Sequence, residues 1–251
     1  TLSATGSEMD AGGVITNLET QDKLGRMAAP MLPKVSFLDP TLTYTVSPYQ
    51  TACGAADMMS HILEVYFNLN EDLFMLDSMM EAMLKTIVKF APVAIADPEN
   101  YEARANLMWC SSWAINGFIN GGRRKAWSCH PMEHELSAIY DIAHGHGLAI
   151  LTPRWMEYCL EESNAHRYVS LGVNVFGIDP KGEPMAIAKE CIERMREFMS
   201  VTLNLPYTFT EVGIKREDFA TMARKACRYG AIRGFKTLEP QDVERIYEMC
   251  I

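Results

Sequence analysis

YQTACGAADMMSHILEVYF, residues 49–67, sets apolar side chains at three- and four-residue intervals. That spacing gathers them on one side of a 3.6-residue turn and predicts an α-helix. The same stretch carries Asp57 and His61, four residues apart, so one helix face presents an oxygen and a nitrogen ligand side by side. Downstream the period persists through residues 72–95, 100–119, 148–160, 182–203, 216–229 and 240–250. In DPENYEARANL, residues 97–107, Pro98 suits a first helical turn, with Asp97 or Glu99 near the N-terminus. Upstream the pattern differs. AGGVITNLE (11–19) and PKVSFLD (33–39) are short and rich in β-branched or aromatic residues and predict two strands, with TQDKLGRMAAPM (20–31) as an irregular link. The expected fold class is mainly α, with a two-strand segment in residues 1–45 and an all-helical domain in residues 46–251.

Composition narrows the functional classes. The 251 residues are 48% hydrophobic and 22% charged, as in ordinary globular domains. A net charge of −9 argues against nucleic acid, whose binding rests on neutralising phosphates with Lys and Arg. No run of 18 apolar residues predicts a membrane span. The opening TLSATGSEMD lacks the basic and apolar regions of a signal peptide and an initiator Met, so the chain is expected to begin inside a longer protein. Seven cysteines, an odd number without a C-x-x-C pair, point to a reducing compartment, and the cytoplasm is the expected location.

Four of the six histidines fall in CHPMEHELSAIYDIAHGHG, residues 129–147. His130 and His134 share a helix face, and Pro131 suits the first helical position. His144 lies fourteen residues beyond His130, about 21 Å along an unbroken helix. Two ligands of one ion stand roughly 4 Å apart. A shared metal therefore requires the helix to end and the chain to fold back, and Gly145 and Gly147 are expected just past that break. Asp and three His, without thiolate, suit Fe2+ or Zn2+. The same letters spell H-x-x-E-H at His130, Glu133 and His134, the inverzincin protease pattern, in which Glu133 is the general base and Glu161 or Glu162 a further ligand. Spacing leaves both readings open. TGSE (5–8) is either a turn in which Ser7 caps a helix or a phosphate-holding turn, and no complete GxGxxG or P-loop motif accompanies it.

Several long segments in order, TLSATGSEMDAGGVITN, FLDPTLTYTVSPYQTACGAADMMSHILEVYF, DPENYEARANLMWCSSWAINGF, HPMEHELSAIYDIAHGHGLAI and TLEPQDVERIYEMC, resemble the iron-containing alcohol dehydrogenases, most closely the NADPH-dependent butanol dehydrogenase branch. The resemblance implies a Rossmann-like N-terminal domain, of which residues 1–45 are a remnant, and an all-helical C-terminal domain, with the active site between them. It implies hydride transfer between NADP(H), or NAD(H), and a primary alcohol or aldehyde, with Fe2+ or Zn2+ on Asp57, His61, His130 and His144. His134 falls beside the metal as proton relay, and a homodimer is the implied assembly. Thr1, Thr5, Gly6, Ser7, Gly12, Lys23 and Leu42 fall on positions that line the dinucleotide. So does Asp10, where the family usually has Asn, which sets like charge near phosphates. Ala126 stands where an Asp commonly precedes the Trp. Trp109, Trp113 and Trp127 are read as an apolar wall or plain core. With most of the N-terminal domain absent, the chain alone is expected to turn over poorly. The competing readings are an inactive helical remnant and an inverzincin-type zinc hydrolase.

Overall fold

The computed structural model describes residues 2–68, 73–121 and 127–251. Among them are nine α-helices: α1 Pro48–Tyr66, α2 Phe74–Ala96, α3 Tyr101–Ile115, α4 Cys129–Tyr140, α5 His144–Cys159, α6 Ala165–Phe176, α7 Pro184–Glu197, α8 Phe219–Ala226 and α9 Pro240–Glu248. Two small antiparallel hairpins accompany them, β1 Gly12–Asn17 with β2 Asp22–Met27 and β3 Ile232–Arg233 with β4 Thr237–Leu238. No described helix is long and apolar enough to cross a membrane.

The central element is α1. Ser47 caps it by accepting the Gln50 N–H, and Pro48 occupies its first turn, where a missing N–H costs nothing. Every residue from Thr51 to Tyr66 is buried, as befits a helix enclosed on all sides. It packs against α2, α3 and α5. The contact with α5 is closest at Gly145, where a Cβ would stand 1.9 Å from the Cys53 carbonyl oxygen. Beyond the site, Phe67, Trp155, Tyr168 and Phe235 form an aromatic cluster that seals α1 to α5 and α6.

α4 ends as the histidine spacing requires. Asp141 adopts a left-handed conformation (φ 53°), its N–H returning to the Ser137 carbonyl, and the chain turns back into α5. Gly145 and Gly147 fall just past this break, in the first turn of α5, where they pass close to Cys53 and Glu133 respectively. At its N-terminus α4 starts at Cys129, which makes Pro131 its third residue rather than its first.

The second predicted strand is misplaced. Residues 33–39 form no strand, and Val35 and Phe37 are exposed. The stretch read as an irregular link supplies β2 instead. Asn17 Oδ1 accepts the N–H groups of Glu19 and Thr20, and Gln21 takes a left-handed φ of 52°. Together they close a tight turn that sets Asn17 opposite Asp22 and Gly12 opposite Met27. Three smaller expectations also shift. Asn100, rather than Asp97 or Glu99, caps α3, Ser7 caps no helix, and α6 stands where none was predicted. The first hairpin is moored to the helices by ion pairs. Arg228 donates to Asp22 Oδ1 at 2.8 Å and to buried Glu135 Oε1 at 2.6 Å, and Lys225 donates to the Gln21 carbonyl at 2.6 Å.

Candidate active site

Asp57 Oδ1 is the hub of the cluster. His61 Nε2 lies 3.4 Å from it, His130 Nε2 3.6 Å and His144 Nε2 3.7 Å. Four donors around a tetrahedral ion with bonds of ~2.0–2.2 Å stand about 3.3–3.6 Å apart, close to these separations. The ligand atoms of Asp57, His130 and His144 lie within 4.8 Å of one another, and His61 joins them through Asp57. α1 contributes Asp57 and His61 one turn apart, α4 contributes His130, and the fold-back delivers His144 at the first residue of α5. Asp57 Oδ1 and His130 Nε2 are buried and make no hydrogen bond. Converging buried lone pairs of this kind fit a cation.

The electrostatics agree. Burial alone would raise the Asp57 pKa, yet the three imidazoles outweigh it and hold this carboxyl well below the usual range. Burial works against charge on His130, but Glu64 and Asp57 lift its pKa to about 9. His134 differs. Burial first, then the neighbouring His144, Lys23 and His130, pull its pKa down to about 2. Its ring centre is 6.3 Å from that of His130 and 5.5 Å from that of His144.

Two buried glutamates complete the surroundings. Glu64 Oε1 is 2.5 Å from His130 Nδ1, and Glu133 Oε2 meets His144 Nδ1. Ser137 donates to Glu133. Glu64 was missed in the sequence, although it follows His61 by three residues and so shares the ligand face of α1. Trp127 packs on the His130 ring at 4.1 Å and near His61 at 5.5 Å, forming a wall of the site. Trp109 and Trp113 stack edge to face with each other, and Trp109 is half exposed rather than core.

The inverzincin set is not assembled. Glu133 is engaged with His144 and Ser137. Glu161 and Glu162 follow the far end of α5, whose 16 residues carry them about 24 Å from His144. Glu161 instead pairs with Lys236 at 2.8 Å.

Of the residues expected to line a dinucleotide, Lys23 reaches the cluster, its Nζ 3.3 Å from His144 Nδ1 and 3.4 Å from Glu133 Oε2. Thr5, Gly6 and Ser7 form a tight turn with Gly6 at φ 54°. Gly6 faces α3, where a Cβ would meet Ile115 at 2.4 Å. The exposed Thr5 and Ser7 hydroxyls are 2.8 Å apart. Asp10 closes on Gly12 at the start of β1, and Leu42 is exposed on a 3-10 turn, Pro40–Thr43. Thr1 and Ala126 lie outside the described residues.

Three histidines and one aspartate thus converge within a helical domain. The profile of the Fe-containing alcohol dehydrogenase family, C-terminal, covers residues 51–251, and the chain belongs to that family. It is 50% identical over 250 residues to NADH-dependent butanol dehydrogenase A of Clostridium acetobutylicum, spanning 99% of this chain and 64% of that protein. Its identity to butanol dehydrogenase B of the same organism is 46%, over 100% of this chain and 65% of that protein. The NADPH-dependent aldehyde reductase YqhD of Escherichia coli is 32% identical over 92% of this chain and 59% of its own length. Among solved structures, NADH-dependent butanol dehydrogenase A from Thermotoga maritima superposes with a TM-score of 0.92 at 35% identity, covering all of this chain and 64% of that one. The chain thus spans somewhat less than two-thirds of these relatives.

Proposed function

We propose that this chain carries the metal- and substrate-binding part of an alcohol dehydrogenase that moves a hydride between NAD(P)H and a primary alcohol or aldehyde such as butanol or butyraldehyde. The convergence of three imidazole Nε2 atoms on Asp57 Oδ1 at 3.4–3.7 Å carries the reading. Asp57, His61, His130 and His144 would hold Fe2+, or Zn2+, which when bound supplies Lewis-acid polarisation of the substrate oxygen. The nicotinamide cofactor brings the redox chemistry, and the protein orients it. Hydroxyl donors on Thr5 and Ser7 flanking a left-handed Gly6 suit a phosphate or ribose, with Asp10, Gly12 and Leu42 along the same segment. Lys23 joins the two halves, since its ammonium stands beside His144 while its strand belongs to the cofactor-facing hairpin. His134 lies beside the ligand set rather than within it. With its pKa pulled down to about 2 it stays neutral near pH 7, so it would pass a proton to substrate oxygen as a neutral imidazole, donating through one ring nitrogen while the other accepts. Trp127 keeps water from one face of the histidines.

Elemental analysis tests the reading. Iron or zinc near one equivalent per chain is expected, and His144→Ala should lose most of it. Unchanged metal content in that variant would remove the four-ligand site. NADH- or NADPH-linked reduction of butyraldehyde tests the reaction.

A further inference from the structure

We infer that Glu64 is the positioning residue of the metal centre, the group that fixes the ring orientation and tautomer of His130. The inference rests on the metal-site reading above. On α1, Asp57, His61 and Glu64 lie within about 60° of one another around the helix axis, from 100° per residue, so one face carries two ligands and the support of a third.

Glu64 is 3% exposed. A buried carboxylate is costly unless its lone pairs are filled, and four donors fill these. Oε2 accepts the backbone N–H of Ser128 and, at 2.9 Å, that of Cys129. Oε1 accepts from the Ser60 hydroxyl at 3.0 Å and from His130 Nδ1 at 2.5 Å. These partners outweigh burial and hold the Glu64 pKa below its ordinary value. One oxygen therefore fastens the backbone leading into His130, while the other fastens its ring. Capping the start of α4 accounts for Oε2 alone, whereas the Oε1 contact fixes the imidazole. With the Nδ1 proton donated to Glu64, Nε2, 3.6 Å from Asp57 Oδ1, is the nitrogen at which an ion would displace a proton and bind. The ring has little other freedom. His61 stacks on it at 4.8 Å with 14° between planes, and Trp127 packs at 4.1 Å.

Glu133 makes a comparable contact to His144 Nδ1 but shares it with Lys23. The His144 side chain is 28% exposed against 9% for His130. Glu64 is the dedicated partner.

Glu64→Gln in the full 251-residue chain isolates the effect. The amide keeps the volume and one carbonyl oxygen for the Ser128 and Cys129 N–H groups. It presents N–H2 to His130 Nδ1, which drives the proton to Nε2 and removes the ligand lone pair. Zn2+ affinity, measured by chelator competition, is expected to fall 10–100-fold, the range for outer ligand-supporting groups. The visible bands of the Co2+-loaded protein should shift, with the far-UV circular dichroism preserved. Wild-type affinity and wild-type Co2+ bands in the variant would overturn the role of Glu64. A second measurement needs no variant. In the Zn2+-loaded wild type, 15N shifts should show His130 protonated at Nδ1, and a proton at Nε2 would equally overturn it. If the wild type itself binds no metal, the metal-site reading fails, a different result from either.

Discussion

Gly145→Ala should uncouple the metal site from the rest of the fold. Gly145 follows His144 directly in the first turn of α5, pressed against α1. A Cβ there would sit 1.9 Å from the Cys53 carbonyl oxygen, 2.5 Å from its carbonyl carbon and 3.0 Å from its Cα. Even a weak C–H···O contact needs about 3.3 Å, so about 1.4 Å of separation is lacking. All three atoms are backbone of a helix buried from Thr51 onward, and no side chain can rotate away. The start of α5 must therefore move. Overpacking costs typically 1–3 kcal/mol, and a backbone clash belongs near ~3. At ~2–4 °C per kcal/mol for a chain of this size, Tm should drop about 6–12 °C. A shift of about 1 Å at His144 exceeds the ±0.2 Å tolerance of a metal bond, so metal content should fall with stability. Scanning calorimetry and elemental analysis measure both. Gly25→Ala is the control, because a Cβ there meets nothing within 4 Å, and it should change Tm by about 2 °C or less within the ±0.5 kcal/mol of surface substitutions. A Gly145→Ala protein with wild-type Tm and a full metal complement would refute the close-contact argument.

His134→Ala should retain the metal, because His134 lies outside the ligand set, and should slow aldehyde reduction roughly 10²-fold, the low end for a proton-transfer group; loss of the metal would make it a ligand. Arg167 donates to both Asp77 oxygens, at 2.6 and 3.1 Å, and to the Tyr66 carbonyl at 2.6 Å, beneath the Tyr66 ring. Arg167→Ala should therefore cost about 3 kcal/mol in urea unfolding, and a loss below 1 kcal/mol would make the pair peripheral. All seven cysteines are buried, and burial raises the thiols of Cys110, Cys159, Cys191 and Cys250 to about 12. Because a thiol reacts as thiolate, iodoacetamide at pH 8 should leave these four unlabelled in the native chain and label them in urea. Native labelling at any of them, read by mass spectrometry, would contradict the packing.

The clustering at the proposed metal site was legible because helical period and ligand chemistry coincide there. The i,i+4 rule places Asp57 beside His61, and a shared ion with His144 requires the fold-back that the structure shows between α4 and α5. Glu64 obeyed the same periodicity and was missed because a lone glutamate at i+3 carries no motif. Only the structure shows that its partner is a histidine on another helix. The hairpin was harder. PKVSFLD has strand composition, but its Val35 and Phe37 find no packing surface. DKLGRM has poor strand composition and is paired because a turn built on Asn17 and Gln21 delivers it to β1. Here turn chemistry outweighs intrinsic propensity. α6 escaped for a related reason. Its buried residues Tyr168, Leu171, Gly172 and Val175 keep the period, but glycine and asparagine interrupt the apolar stripe.

The two halves of the site also differ physically. The four proposed metal donors sit on helices with enclosed backbones, and their positions are held from several sides. Glu64 anchors the entrance to α4, Glu133 holds His144, and the contact at Gly145 fixes α5 against the helix that carries Asp57. A buried cluster of this kind forms only once α1, α4 and α5 have packed, so ion binding and tertiary structure depend on each other. The residues proposed to face the cofactor lie on a turn and a hairpin whose moorings are the Asp22–Arg228–Glu135 ion pairs and the Lys23 contact. Exposed apolar side chains crowd that segment, including Ile15, Leu18, Met27 and Phe37. Enclosed placement would suit an ion that must hold its geometry, and a lightly moored hairpin would suit a surface that admits and releases a dinucleotide. Lys23 spans the two. Its strand belongs to the hairpin and its ammonium to the metal cluster, so displacement of the hairpin alters the charge beside His144.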